Sequence, residues 1–407
     1  MEKLWLLIVC SIYFALVFVS LLYYIIITVG KRDRISDQLL RSLATEPFVS
    51  IIVPTYNEEK NIQRCLTSLR QLNYSNFEII VSDGGSKDNT ISIARPLANQ
   101  IIVDEKLPED WIGKNYGCHL GYKAAKGSIL LFTDADTTHS PDSLRIAVSM
   151  LLEKKAGLLT IFPYQQLQKW WESIVPIHFF LSHFVSGGPR QVNDPRRTHN
   201  YVALGQYMMF SREAYEKIGG HARLYRSIIE DYAFARVIKT ELQSLYYLRS
   251  SKLVYTRMYP DSFMDCWNGF KKVLYAGIKL TPPRRIVFTL IYIFWGILSP
   301  VAIVLTAIYA ESIYLIIAPP ISLGLLILTF VLVWTNKGRH FWITYLFFPI
   351  LMIVFIISVI ASMVEMVVRK TTTWKGRKYT PDLNAGLEDG QQVQSSTSHQ
   401  NIFESNL

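Results

Sequence analysis

Ile129-Leu130-Leu131-Phe132-Thr133 is a short apolar run that ends in Asp134-Ala135-Asp136. A stretch of this length, rich in aliphatic and aromatic residues and closed by a turn signal, reads as a buried strand. Two aspartates at alternate positions just beyond it can both be presented by the turning chain. Upstream, residues 48–53 form a second such run, closed by Pro54-Thr55-Tyr56-Asn57-Glu58-Glu59. Residues 77–82 form a third, closed by Asp83-Gly84-Gly85-Ser86, and residues 101–103 and 157–160 add two more. Helical periodicity falls between them, over 58–69 through Ile62, Cys65, Leu66 and Leu69, then over 90–98 and 115–125. This alternation predicts an α/β fold, a mostly parallel sheet with helices on both faces. Ligands of such sheets bind beyond the carboxyl ends of the strands. Pro54, Asp83 and Asp134 all lie there, so three segments point into one crevice.

The 407 residues are half apolar, and the apolar residues are clustered. Residues 4–29, 286–310, 313–334 and 341–360 carry no charge. At 1.5 Å per residue each can cross a hydrocarbon layer roughly 30 Å thick. The expected layout is a transmembrane anchor over 1–30, a catalytic domain over 48–280, a C-terminal membrane bundle over 286–368 and a tail over 369–407, basic and then disordered. The first run lacks a cleavage signature and reads as an anchor. Lys31, Arg32 and Arg34 follow it, and Arg284 and Arg285 precede the second run. These clusters put the catalytic domain on the cytoplasmic side of a multi-pass protein of the cell membrane. Four crossings would leave the tail outside, yet Arg369-Lys370 and Trp374-Lys375-Gly376-Arg377-Lys378 argue for an internal tail. A re-entrant segment broken at Pro319-Pro320 or Pro349 would reconcile the two.

The net charge of +10 suits anionic headgroups and nucleotides. Scattered basic residues without zinc-finger spacing exclude a nucleic-acid module. The four cysteines lack paired short spacing and read as thiols. Residues 168–184, with Trp170, Trp171, Phe179 and Phe180, predict a helix near a bilayer surface. Residues 263–276, with Trp267, Lys271 and Lys272, predict another, lying in the interface or simply packed. The stretch 186–199, rich in Gly, Pro and Arg, reads as a mobile loop.

A divalent cation neutralises a diphosphate best when carboxylates hold it from the other side, which suits Asp134 and Asp136. The pair could equally serve turn formation around Ser140-Pro141. Asp83 could accept from a base N–H or simply close an Asx turn. Lys114, in Trp111-Ile112-Gly113-Lys114-Asn115, can reach a phosphate or the base rim. Glu230-Asp231 could supply a general base or open a helix with acids at its positive end. Arg223 and Arg226 could hold phosphate or an anionic headgroup.

As an ordered set, Pro54–Glu59, Val81–Asp88, Asp134-Ala135-Asp136 and Glu230-Asp231 resemble the family 2 glycosyltransferases with the GT-A fold, a Rossmann-like sheet. Trp111–Asn115, Phe162-Pro163-Tyr164, Gly219-Gly220-His221, Arg257-Met258-Tyr259 and Trp374–Tyr379 resemble the members that act on carotenoid acids. The resemblance covers roughly residues 48 to 379. It implies donor contacts from Pro54, Tyr56, Glu58, Asp83, Lys114 and Asp134. It also implies Mg²⁺ or Mn²⁺ on Asp136, and Asp231 as base. Glu230, Arg223, Arg226, Arg257 and Trp267 are then candidates for acceptor or phosphate contacts. The implied reaction moves one sugar, with inversion, from a nucleotide-sugar donor (a UDP-sugar first) to a lipid acceptor in the bilayer. The Gln-x-x-Arg-Trp of processive synthases is missing after Asp231, which disfavours chain elongation. A carboxylate acceptor needs no base and a hydroxyl does, so Asp231 leans toward a hydroxylated lipid. A carotenoid-like acid, a polyprenyl phosphate and a non-catalytic scaffold remain alternatives. Sugar, base, lipid and oligomeric state are left open.

Overall fold

The computed structural model describes residues 45–249, 253–309, 313–333, 346–374 and 376–380, with a few isolated positions. The expected anchor and the end of the tail lie outside the described residues. The strands are β1 (Val49–Thr55), β2 (Phe77–Asp83), β3 (Gln100–Val103), β4 (Ile129–Phe132), β5 (Thr137–His139), β6 (Leu158–Phe162), β7 (Tyr164–Gln165), β8 (Met208–Ser211), β9 (Leu245–Arg249), β10 (Val254–Thr256), β11 (Thr372–Trp374) and β12 (Arg377–Tyr379). The helices that matter here are α1 (Ile62–Arg70), α2 (Gly113–Ala124), α3 (Ser143–Glu153), α4 (Val175–Ser186), α5 (Glu230–Val237), α6 (Phe263–Lys279), α7 (Pro283–Tyr309), α8 (Ile313–Val333) and α9 (Phe348–Met363).

Seven strands form one sheet in the order β3-β2-β1-β4-β8-β6-β9. The first four run parallel. β8 is antiparallel to both β4 and β6, and β9 returns parallel to β6. The sheet is therefore mixed, with β8 as the departure from the parallel expectation. Along β1 and β4, Ile52, Leu130 and Phe132 enter one core while Ile51, Val53, Ile129 and Leu131 enter the other. Strands apolar on both faces are what a sheet covered on both sides requires.

The core on the Ile52 face continues through α4 into the C-terminal helices, where Tyr292, Trp295, Phe330, Phe348 and Met352 belong to it. Among the described residues two helical stretches, Pro283–Ile308 and Phe348–Val368, are long and apolar enough to cross a membrane. Phe288, Ile291, Phe294 and Leu298 on α7, and Ile350, Ile353, Ile357 and Ile360 on α9, are exposed. Large apolar side chains displayed in rows mark a surface made for something other than water.

Two expectations need correction. Residues 186–199 are folded in, not mobile. Asn200 Nδ2 donates to Ser186 O (2.6 Å), Asn193 Nδ2 to Tyr247 O (3.1 Å) and Lys239 Nζ to Asp194 O (2.8 Å). The segment before α4 opens as a tight 3₁₀ turn, Trp170–Ile174. Glu172 locks that turn by accepting from the Lys169 N–H at 2.7 Å.

Candidate active site

The site forms where three loops meet beyond the sheet. After β4, the Thr137 hydroxyl donates to Asp134 O (2.7 Å) and the Thr133 hydroxyl to Gln206 O (2.8 Å). These bonds turn the chain so that Asp134 and Asp136 both line one cavity. At the head of α2, the Ile112 N–H donates to Tyr225 O (2.8 Å). Asn115 Nδ2 donates to Leu224 O and Ser227 O, each at 2.8 Å. The α2 head is thereby tied to the loop that leads into α5, and Lys114 meets Glu230.

Lys114 Nζ lies 2.8 Å from Asp134 Oδ1 and 2.8 Å from Glu230 Oε1. One ammonium thus bridges the acidic turn and the start of α5. Gly205 makes room for it, because a methyl there would sit 2.6 Å from Lys114 Nζ and 3.2 Å from Glu230 Oε1. The Gly205 N–H donates to Asp231 Oδ2 (2.9 Å) and the Tyr232 N–H to Asp231 Oδ1 (2.7 Å). Sequence reasoning missed Gly205, which carries no side chain and lies in no recognisable turn motif.

Burial, with Glu230 beside it, pushes the Asp231 carboxyl up to about 6. Burial, with Asp134 and Glu58 nearby, pushes Asp136 up to about 7. Asp136 Oδ1 is buried and has no hydrogen-bond partner. An orphaned carboxylate oxygen next to a second carboxylate fits a hard divalent cation, which keeps most of its ligands for phosphate oxygens and water. Among the described residues no group of three or more His, Cys, Asp or Glu is placed to hold a metal ion.

The cavity holds about 940 Å³. Its lining runs from Tyr56, Gly84 and Arg377, past the acidic residues, to Phe294 on α7 and Ile356 and Ile360 on α9. Polar and apolar ends therefore share one space. Pro54, Tyr56, Glu58, Lys114, Asp134, Asp136, Glu230, Asp231 and Arg257 all line it.

Other expected residues sit elsewhere. Asp83 is buried and fully engaged: Thr55 Oγ1 (2.9 Å), Gly85 N (2.9 Å), Ser86 N (2.7 Å) and Ser86 Oγ (2.6 Å) all donate to it. It closes an Asx turn that shapes the pocket floor, while its neighbours Ser82 and Gly84 face the cavity. Arg223 pairs with Glu241 (2.6 Å) and Arg226 lies 3.5 Å from Asp110, both away from the cavity lining. Trp267 stands beside Phe263 and is likewise absent from the lining. Arg257 lines the cavity but is held by buried Glu172 at 2.8 Å. Lys272 also lines it, and sequence reasoning had placed it only on the polar face of an amphipathic helix.

A strand-ended acidic pair, an anchored lysine and a buried carboxylate thus meet in one cavity beyond an α/β sheet. Residues 50–219 match the family model described as Glycosyl transferase family 2. That stretch carries a family 2 glycosyltransferase domain. It is 26% identical over 336 residues to 4,4'-diaponeurosporenoate glycosyltransferase of Staphylococcus aureus (strain USA300), covering 82% of this chain and 88% of the relative. The protein of the same name from strain MRSA252 is 28% identical over 266 residues, covering 65% and 70%. Among solved structures, the mannosyltransferase PcManGT from Pyrobaculum calidifontis, in complex with GDP-Man and Mn²⁺, superposes with a TM-score of 0.52 at 18% identity. That match covers 88% of this chain and 98% of the other.

Proposed function

We propose that this protein transfers a single sugar from a nucleotide-sugar donor to a lipid acceptor, with inversion at the sugar carbon. The observation that carries this reading is the single cavity that joins the acidic cluster to the exposed-helix region of α7 and α9. The two Staphylococcus aureus relatives named above act, by name, on 4,4'-diaponeurosporenoate.

In the reaction the bond from the sugar's anomeric carbon to the diphosphate oxygen breaks, and a bond to the acceptor oxygen forms. Asp231, fixed by two backbone N–H groups, takes the acceptor proton. A pKa lifted toward the working pH makes that carboxylate a stronger base while leaving it ionised. Asp134 and Asp136 would hold Mg²⁺ or Mn²⁺, which supplies charge neutralisation for the departing diphosphate. Lys114 adds a positive charge at the same place, and Asp134 and Glu230 keep it from leaving.

The acceptor enters from the apolar end. A membrane-resident lipid can place its headgroup near Asp231 while its chain lies along Phe294, Ile356 and Ile360. Lys272 and Arg257 beside the cavity favour a second reading, an acceptor with a carboxylate or phosphate headgroup. The hairpin β11–β12, which follows α9, touches the catalytic domain, where Arg377 Nη2 donates to Gly84 O.

The decisive experiment incubates the purified full chain with native lipid extract and a panel of nucleotide sugars. Mass spectrometry should find one lipid species gaining one sugar. Hydrolysis of the donor with no glycosylated lipid would refute the reading.

A further inference from the structure

The hairpin β11–β12 lies about three hundred residues from the Pro54–Glu59 segment in sequence, beyond every apolar helix. It nonetheless packs on the polar end of the cavity. The Arg377 guanidinium stands 4.0 Å above the ring centre of Tyr56. Its Nη2 donates to Gly84 O at 2.9 Å. Tyr379, 6% exposed, sets its hydroxyl against the Gly113 backbone and beside Arg377. A side chain at Gly113 would meet that hydroxyl at 3.1 Å. Beyond the hairpin, the Asp382 N–H donates to Arg226 O at 3.1 Å, in the loop before α5. Both Arg377 and Tyr379 line the cavity.

We infer that this post-membrane hairpin is the missing wall of the donor site, and that Arg377 binds the nucleoside diphosphate. A guanidinium carries five donors, and the Gly84 carbonyl and Tyr379 hydroxyl leave others for a ligand. Stacked on Tyr56, it is held flat with little left to order on binding, which is how an arginine gives both charge and orientation. The Gly84 carbonyl and the Gly113 backbone belong to the two loops that end β2 and begin α2. The hairpin therefore clasps both loops around the space between them. The residue after Gly113 is Lys114, so the same clasp sets the position of the ammonium that faces Asp134. A purely structural hairpin would not need its one guanidinium turned into the cavity.

This inference rests on the donor reading above, and the test separates the two. Binding of UDP and of GDP to the full-length protein in detergent with Mn²⁺ is measured by calorimetry for wild type, Arg377→Ala and Arg377→Lys. Arg377→Ala should weaken the better-bound nucleotide by about tenfold or more, the scale of a lost charge-assisted contact. Arg377→Lys should recover part of that loss. In turnover, Arg377→Ala should raise the donor KM while kcat changes little. Unchanged binding in Arg377→Ala overturns the inference and leaves the donor reading standing. A wild type that binds neither nucleotide overturns both. If Arg377→Ala does not elute as a folded protein, tryptic cleavage of wild type at Arg377 and Lys378 decides. Nucleotide should slow it severalfold, and no slowing refutes the assignment.

Discussion

Replacing Asp231 with Asn removes the carboxylate assigned here as the base that takes the acceptor proton, and changes almost no volume. Both carboxylate oxygens accept backbone N–H bonds, from Gly205 at 2.9 Å and Tyr232 at 2.7 Å. A carboxamide can satisfy only one of these donors with its oxygen, and its NH₂ then faces the other. That mismatch costs about 1–3 kcal/mol of stability. The catalytic loss is larger: removing a positioned base lowers turnover by about 10²–10⁴-fold, or roughly 3–5 kcal/mol of barrier. The pH profile distinguishes chemistry from damage. Because the folded carboxyl titrates near 6, wild-type kcat/KM should rise about tenfold per pH unit below that point and level off above it. The variant should lose this acid limb. Folding shows the reverse dependence. A folded pKa raised above the unfolded value stabilises the protein fully below about 4, and this contribution is lost as the pH rises through about 6. Initial rates with labelled donor in detergent, from pH 5 to 8, test this directly. An Asn variant within about threefold of wild type on the native acceptor, with the acid limb intact, would defeat the base assignment. It would point instead to an acceptor that arrives already ionised.

Lys114→Ala should destabilise the protein by about 3 kcal/mol, since it leaves Asp134 and Glu230 without their shared partner; differential scanning calorimetry of the donor-free protein would show it. Gly205→Ala places a methyl 2.6 Å from Lys114 Nζ; it should displace the ammonium and cut turnover by about tenfold or more while circular dichroism stays unchanged. Asp136→Asn should lower turnover by about 10²-fold, and chelation of wild type should be reversed by Mg²⁺ or Mn²⁺ but not by added salt. A variant that keeps its activity in chelator would remove the metal from the reading.

Much of this arrangement is legible in the chain because it is local. β1, β2 and β4 are apolar on both faces and are closed by turn residues, so their ends and the acids beyond them can be read directly. β8 was not legible. Met208–Ser211 is short and has neither alternation nor a turn signal of its own, yet its antiparallel pairing with β4 decides that the sheet is mixed. Asp83 stands at the end of β2, where the turn signal put it, and its carboxylate accepts from Thr55, Gly85 and Ser86, contacts that no local pattern spells out. Arg223 and Arg226 looked like anion binders from charge alone, and each has an acidic neighbour elsewhere. The pairing of Arg377 with Tyr56 could not be read at all, because nothing local connects residues that lie before and after the long apolar helices in sequence.

That long-range contact bears on how donor and acceptor are kept apart. The hairpin lines the polar end of the cavity with an arginine and a tyrosine, while α7 and α9 line the other with apolar side chains. On the proposed reading, a water-soluble nucleotide and a water-insoluble lipid reach the same carboxylate from opposite ends of that cavity. Asp231 lines this cavity, and burial with Glu230 beside it raises its pKa. The same burial that makes it a better base also excludes the water that would otherwise compete for the sugar. Opening the hairpin should therefore change the product as well as the rate. A chain ending at Val368 should hydrolyse its donor at a larger fraction of its transfer rate than the full protein does. A truncated protein whose ratio of hydrolysis to transfer matches the full chain would show that the hairpin plays no part in keeping water out.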